Sequence, residues 1–392
     1  MITIDKKENC TGCSACANVC PKSCIRIVPD EEGFGYPVVD HQLCIECDLC
    51  VKTCPIINYC NELSPQRIVG LRNKDDEELL RSASGGVFPA LAEYVVNAGG
   101  LVAGAVWNKD FSVSHQMCDN IKDAQAFRGS KYQQSHIGQI YREIKKCLQA
   151  NRLVLFTGTP CQVAGLKHFL RKPYDNLFTC DLICHGVPSP KVFQSYVAHI
   201  EQKYNRSIID INMRDKTFGW DNSGVRVKFS DGTSIFRNKD TNLFNAMYSV
   251  HYATRPSCHH CVYANFHREG DLTIGDFWTV KTWQPEFFYP KGVSVAIVNT
   301  PKGRILLEAI EKNFYVVESD EEEILQNNLY QSAPPSSARA RFFQVYLQNG
   351  YERAIRQFLD YGRMNQIKGF FRKVCRKFHL PEPGIIKSTI IK

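Results

Sequence analysis

The sequence predicts an α+β chain: a small cysteine-rich module, then a mixed-sheet α/β body with β-hairpin insertions, then a helical C-terminal tail. Three observations carry that prediction. Two copies of one cysteine pattern occupy the first sixty residues. Strand-like and helix-like segments alternate from about residue 65 to 172. A stretch from 208 to 238 then alternates apolar and polar residues around Asn-Ser-Gly and Asp-Gly turns. The expected divisions are 1–62, 63–150, 151–335 and 336–392.

With 392 residues, 44% of them hydrophobic and 22% charged, the chain is long enough for a large core and has the texture of a globular protein. Its start, MITIDKKENC, has no apolar signal core, so a cytoplasmic location is expected. Eighteen cysteines in that setting read as metal ligands rather than disulfides. The apolar run GVFPALAEYVVNAGGLVAGAVW (86–107) is broken by Ala-Gly-Gly and reads as a buried helix, a turn and a buried strand. From Arg363 to the end stand eight Lys/Arg and one Glu, or +7 of the total +8. The rest is close to neutral, which argues against a nucleic-acid groove in the body.

In the module, CTGCSACANVCP (10–21) recurs as CIECDLCVKTCP (44–55), each C-x2-C-x2-C-x3-C-P. Three cysteines two residues apart in a tight loop reach three corners of one cubane, and the fourth serves the other cubane. Cys10, Cys13, Cys16 and Cys54 then hold one [4Fe–4S] cluster, and Cys44, Cys47, Cys50 and Cys20 the second. Pro21 and Pro55 turn the chain away after each fourth ligand. A zinc ribbon needs two CxxC pairs, not a third cysteine and a proline twice over. The module therefore reads as a two-cluster, ferredoxin-like domain. VPDEEGFGYPVVD between the halves is a hairpin, and Cys24 and Cys60 fall outside the pattern as ordinary thiols.

In the body, 68–72 is a strand, 82–98 a Ser/Gly turn and helix, and 100–107 a buried strand. Residues 127–150 make a second Gly/Ser turn and helix, 152–160 a strand and 162–172 a helix. One more strand, turn and helix spans 293–313. The turns SASGG, RGSKY and TGTP precede helices, whose free N–H groups suit phosphates, although none is a Rossmann or P-loop fingerprint. Behind an iron–sulfur module they point to a dinucleotide such as FAD, with Lys131 near a pyrophosphate and Tyr132 stacked on a flat ring. Structural turns are the alternative.

Of the later cysteines, Cys118, Cys147 and Cys375 lack partners at ligand spacing. Cys161 follows the Gly-Thr-Pro turn, Cys180 and Cys184 flank an apolar strand, and Cys258 and Cys261 form a CxxC claw. Two claw ligands and two strand-end ligands suffice for a third [4Fe–4S] cluster or a zinc, with His185, His259 and His260 as substitutes and buried structural thiols as the other reading.

The ordered segments GGVFPALAEYVVNAGGLVAGAVW, RGSKYQQSHIG, LFTGTPCQVAGLKHFL, DLICHGVPSPKVF, RDKTFGW, CHHCVYAN and DLTIGDFW span 81–278. They resemble the beta-subunit family of coenzyme F-420 (deazaflavin) hydrogenases and dehydrogenases, which includes iron–sulfur flavoproteins carrying FAD and a [4Fe–4S] cluster. A chlorophyll-side-chain reductase is similar. The resemblance implies a flavin-binding body, with Cys161, Cys184, Cys258 and Cys261 on the extra cluster. It sets FAD against Ser84, Gly85 and Gly86, Ser130, Lys131 and Tyr132, and Thr157, Gly158 and Thr159. Two departures stand out: Pro89 lies about a turn into the helix after SASGG, and Thr279 follows DFW where the family usually has glycine.

On this reading the chain is an oxidoreductase passing electrons between clusters, FAD and a small-molecule or F-420-like acceptor or donor, with His185, Lys131 and Asp276 as acid–base candidates. The alternative is a relay subunit whose catalytic partner is another polypeptide. Arg214, Asp215 and Lys216 read as hairpin salt bridges. The tail IKGFFRKVCRKF (367–378) places apolar residues on one helical face and Lys/Arg on the other, suited to an anionic membrane surface, to an acidic ferredoxin or to packing on the body.

Overall fold

A computed structural model describes residues 1–60 and 63–359. In the N-terminal module, α1 (Ala15–Val19) and α2 (Leu49–Lys52) each occupy the middle of one cysteine copy. Between them β1 (Ile25–Pro29) and β2 (Gly35–Val39) pair antiparallel, with Ile25 opposite Val39. Asp30 Oδ1 closes the intervening turn by accepting from the N–H groups of Glu32 and Phe34.

The body begins with β3 (Arg67–Asn73), α3 (Asp76–Arg81), α4 (Val87–Asn97), β4 (Leu101–Trp107), β5 (Val113–Cys118), α5 (Ile121–Ala124) and α6 (Ile140–Gln149). It continues through β6 (Val154–Gly158), α7 (Pro160–Leu170), β7 (Leu177–Leu182) and α8 (Pro190–Tyr204). A separate antiparallel sheet follows, made of β8 (Ile208–Asp215), β9 (Gly224–Phe229) and β10 (Ser234–Phe236), and then α9 (Asn242–Ser249). The chain returns as β11 (Leu272–Asp276), α10 (Val280–Trp283), β12 (Ser294–Val298), α11 (Pro301–Glu311), β13 (Phe314–Ser319) and α12 (Arg339–Phe358).

One eight-stranded mixed sheet organises the body in the order β13-β3-β12-β11-β7-β6-β4-β5. The run β4, β6, β7, β11 is parallel, and antiparallel strands flank it on both sides. Parallel strands need covered faces. Here α4 and α11 bury Leu91, Val95, Leu306 and Ile310 on one face, while α6 and α7 bury Ile144, Leu148, Val163 and Leu166 on the other. Three helices start alike, at Thr159-Pro160, Ser189-Pro190 and Thr300-Pro301. In each the hydroxyl residue caps and the proline takes the first helical position, where its missing N–H costs nothing.

The α+β class, the mixed sheet and the hairpin module agree with the sequence prediction. Several details are corrected. Within the turn and helix expected over 82–98, the helix starts at Val87, so Pro89 lies in its first turn and interrupts no helical hydrogen bond. Cys180 is buried within β7 rather than flanking it, and Cys118 ends a strand, β5, that periodicity did not reveal. Helix α9 and strand β13 were also unforeseen, because short elements carry too little periodicity to stand out. Helix α12 packs Phe342, Phe343 and Tyr346 into the core shared with α8 and the three-stranded sheet, so the region from 336 is not simply a tail. The amphipathic segment 367–378 and Cys375 lie outside the described residues. Among the described residues, no helix is long and apolar enough to cross a membrane.

Candidate functional site

Both cysteine copies bend the same way. Gly12 and Ser14 in the first, and Glu46 and Asp48 at the matching places in the second, all adopt left-handed backbone, with φ of +70° and +61° against +51° and +55°. In the first copy Cys10, Cys13 and Cys16 lie close enough for their thiols to act on one another, and Cys54 joins them from the second copy. Burial pushes Cys16 up to about 12, and the Cys10 and Cys54 thiols add to the rise. Cys20, Cys44, Cys47 and Cys50 line one small recess. Cys24, read from the sequence as an ordinary thiol, lines it too, with its sulfur 3.3 Å from that of Cys20.

The third set assembles from three separate places. Cys161 lies in the first turn of α7, Cys184 follows β7, and Cys258 and Cys261 come from the turn before β11. Burial pushes Cys161 up to about 11 and Cys184 up to about 12. It also raises Cys258, whose thiol senses Cys184, Cys261 and Cys161. Main-chain N–H groups point at these sulfurs, Gly186 to Cys184 and Val187 to Cys258, both at 3.4 Å. Sulfur-only donors, held largely out of water and hydrogen-bonded by the backbone, are the surroundings a [4Fe–4S] cluster requires. Among the described residues no three His, Cys, Asp or Glu side chains converge where one metal ion would sit.

A cavity of about 500 Å³ opens beside the third set, outside the carboxyl ends of β6, β7 and β11. Ser84 and Gly86, Ser130, Lys131 and Tyr132, and Thr157, Gly158 and Thr159 line it, together with Cys184, His185 and Asp276. Three turns that the sequence keeps 46 and 27 residues apart (Ser84, Ser130 and Thr157 onward) thus share one wall. Gly85 departs from this set. Its N–H donates to Ser294 Oγ at 2.8 Å, and a Cβ there would stand 2.3 Å from the Leu71 carbonyl oxygen, so it packs behind the wall. The start of α7 is also less open to an anion than its turn suggested. Thr159 N–H donates to Gln162 Oε1 at 3.0 Å within a capping box, and Pro160 has no N–H.

Lys131 is one of three cations that line the cavity among the described residues, with Arg128 and Arg214. Its ammonium donates to the carbonyls of Arg128 at 2.7 Å and Gly129 at 3.4 Å, and burial pushes it down to about 7. A buried ammonium whose partners are neutral carbonyls fits a phosphate. Tyr132 stacks on Tyr248, with ring centres 4.8 Å apart. Asp276 is fully engaged: Oδ1 accepts from Trp220 Nε1 at 2.7 Å and from Arg214 at 3.2 Å, and Oδ2 accepts from Arg214 at 3.0 Å. This makes it an anchor for Arg214 rather than a proton donor. His185 Nδ1 lies 3.0 Å from Asn328 Oδ1.

Of Arg214, Asp215 and Lys216, only Asp215 forms a salt bridge within its own hairpin, to Arg226 at 2.6 Å, while Arg214 Nε donates to Ser223 Oγ there at 3.1 Å. Arg214 crosses to β11, and Lys216 donates to the carbonyls of Leu79, Ser84 and Lys291, binding the Ser84 loop to its neighbours. The sequence reading missed His115, a cavity-lining residue on the unforeseen strand β5. It lies between Thr157 O and Ser135 Oγ, each 3.1 Å from a ring nitrogen, and burial lowers it to about 4, so it stays neutral. Thr157 and Ser135 both stand in recognised turns, but no spacing in the sequence ties His115 to either.

Residues 151–324 match the family described as the C terminus of the coenzyme F420 hydrogenase/dehydrogenase beta subunit, and residues 9–56 match the 4Fe-4S dicluster domain. An uncharacterized polyferredoxin-like protein of Methanocaldococcus jannaschii is 34% identical over 67 residues, 15% of this chain and 40% of that protein. The chain thus spans two fifths of that relative. An uncharacterized ferredoxin of the same organism is 39% identical over 54 residues, 14% of this chain and 68% of the ferredoxin. Among solved structures, a chain of the F420-reducing [NiFe] hydrogenase complex from Methanosarcina barkeri aligns with 82% of this chain and 97% of its own length, at 18% identity and a TM-score of 0.46.

Proposed function

We propose that the chain is an iron–sulfur electron-transfer protein of oxidoreductase type that links three clusters to a flavin, because residues 151–324 match the coenzyme F420 hydrogenase/dehydrogenase beta-subunit family and residues 9–56 match the 4Fe–4S dicluster domain. Cys10, Cys13, Cys16 and Cys54 hold the first cluster, Cys20, Cys44, Cys47 and Cys50 the second, and Cys161, Cys184, Cys258 and Cys261 the third. The acceptor or donor at the far end is a small molecule or deazaflavin. The observation that carries this reading is the shared wall: Cys184 lines the cavity, and the Thr159 hydroxyl there stands 3.2 Å from the Cys161 sulfur.

FAD, when bound, supplies the exchange between one-electron and two-electron chemistry. The chain's own residues do the rest. Lys131 would hold the pyrophosphate, Tyr132 and Tyr248 would offer an aromatic face, and Arg214, held by Asp276, would supply a second cation. His115 remains neutral and holds Ser135 and the Thr157 carbonyl in place. His185 is the acid–base group on this reading. A relay role for a separate catalytic partner has its own support in and beside the second copy, where Leu43, Ile45 and Ile57 are exposed and Cys47 is exposed too.

The deciding measurement is iron content and absorbance of anaerobically purified protein. The proposal expects flavin bands and about twelve irons, and a Cys161→Ala variant losing about four of them while the N-terminal pair remains. No flavin together with about eight irons overturns it. Viologen-linked turnover by the isolated chain favours the enzyme, and turnover only with an added partner favours the relay.

A further inference from the structure

Arg255 is fully buried, and among the described residues it forms no salt bridge. Its Nε donates to the Cys10 carbonyl at 2.8 Å, one terminal nitrogen to Gln134 Oε1 at 2.6 Å, and the other to the Gly35 carbonyl at 3.0 Å. All three acceptors are neutral. The Tyr36 ring lies 4.4 Å from its guanidinium carbon. Isolating a cation in this way is costly unless a negative charge stands nearby.

The position supplies that charge. Arg255 presses on the first cysteine loop so closely that a Cβ on Gly12 would stand 2.9 Å from its terminal nitrogen. It also lies three residues before Cys258 in the third set. The two sets approach one another at α7, where a Cβ on Gly165 would meet the Cys13 sulfur at 3.1 Å. The Cys258 N–H donates to the Arg255 carbonyl at 3.0 Å, which ties the residue to the third set. Four thiolates around a cubane carry net negative charge in either redox state, and reduction adds one more.

We propose that Arg255 is a positioning residue that acts as the shared counter-charge of the first and third clusters, favouring the reduced state of both. The proposal rests on the three-cluster reading above. On gaining an electron either cluster becomes more negative while the guanidinium keeps its proton and its charge, so the reduced form gains more from it. Removing the charge therefore lowers both midpoint potentials and leaves the second cluster unmoved.

The test uses full-length, anaerobically loaded protein, with midpoints read by EPR-monitored redox titration and iron counted in parallel. Arg255→Met lowers the midpoints of the first and third clusters, and Arg255→Lys restores most of the shift. Should Arg255→Met fail to load iron, Gln134→Glu decides, because it sets a carboxylate against the guanidinium at nearly unchanged shape and lowers the same two midpoints. Full iron with unmoved midpoints in the decisive variant overturns the proposal, as does an equal shift in all three clusters. Wild-type protein holding about eight irons overturns the three-cluster reading and the sharing with it. Twelve irons with unmoved midpoints overturns only the role of Arg255.

Discussion

The two cysteine copies have the same spacing and the same left-handed turns, yet they meet opposite surroundings. The first faces inward. Cys13 is 9% exposed, Gly165 of α7 lies against its side chain, and Arg142 of α6 donates to the carbonyls of Asn18 and Cys20 at 2.6 and 2.8 Å. The second faces outward, with Cys47 exposed and Leu43, Ile45 and Ile57 each 56% exposed. Spacing decides which cluster a loop can bind; the elements packed on the loop decide what that cluster can exchange electrons with.

The comparison can be broken most strongly at Gly165. A Cβ there would stand 3.0 Å from both Cys13 Cβ and the Tyr141 hydroxyl, so Gly165→Val overpacks the seat of the first copy. Thermal or denaturant unfolding is expected to show a loss of about 3 kcal/mol, with iron falling by about four. A smaller effect is expected at Gly12. Its φ of +70° and its closeness to Gln134 and Arg255 make Gly12→Ala cost roughly 1–2 kcal/mol, whereas Glu46→Ala at the matching place stays within about 0.5 kcal/mol, because a side chain already stands there. Equal losses at the two places would refute the inward–outward distinction.

Downstream of the inner copy, the cavity is expected to respond to pH. Burial holds Lys131 at about 7 before an anion binds, and a bound pyrophosphate raises it. Binding then takes up a proton: affinity is fully present below about pH 7 and falls as pH rises, at most about tenfold per unit. FAD affinity measured by fluorescence across that range should show the slope, and Lys131→Met should abolish it. His115, lowered to about 4, stays neutral throughout and contributes none. The smallest effect belongs to the outer copy, where Ile45→Ser should change stability by no more than about 0.5 kcal/mol while slowing electron exchange with an added redox protein.

Much of this site is legible in the residue string, for identifiable reasons. Cubane ligands sit at short, fixed spacing, so the proposed ligands from Cys10 to Cys54 announce themselves, and Ser/Gly turns before helices pick out the cavity wall. What remained hidden depends on long-range convergence. Arg214 and Asp276 are 62 residues apart, and Arg255 reaches Cys10 across 245. Cys24 looked ordinary because nothing in C-x2-C-x2-C-x3-C-P points to a residue four beyond its last cysteine. Gly85 looked like its neighbours, and only the nearness of Leu71 and Ser294 turns it to the back of the wall.

The sequence by itself determined the two cysteine loops, the order of strands and helices apart from β5, α9 and β13, and the turns beside the cavity, because each follows from local spacing, periodicity and capping chemistry. Only the tertiary structure decided that one copy lies against the body and the other opens to solvent, and that a buried guanidinium lies against the first copy. Those outcomes depend on which sheet edge and which helix face meet which loop. No residue carries that information alone, because it arises from packing eight strands and their covering helices into one core.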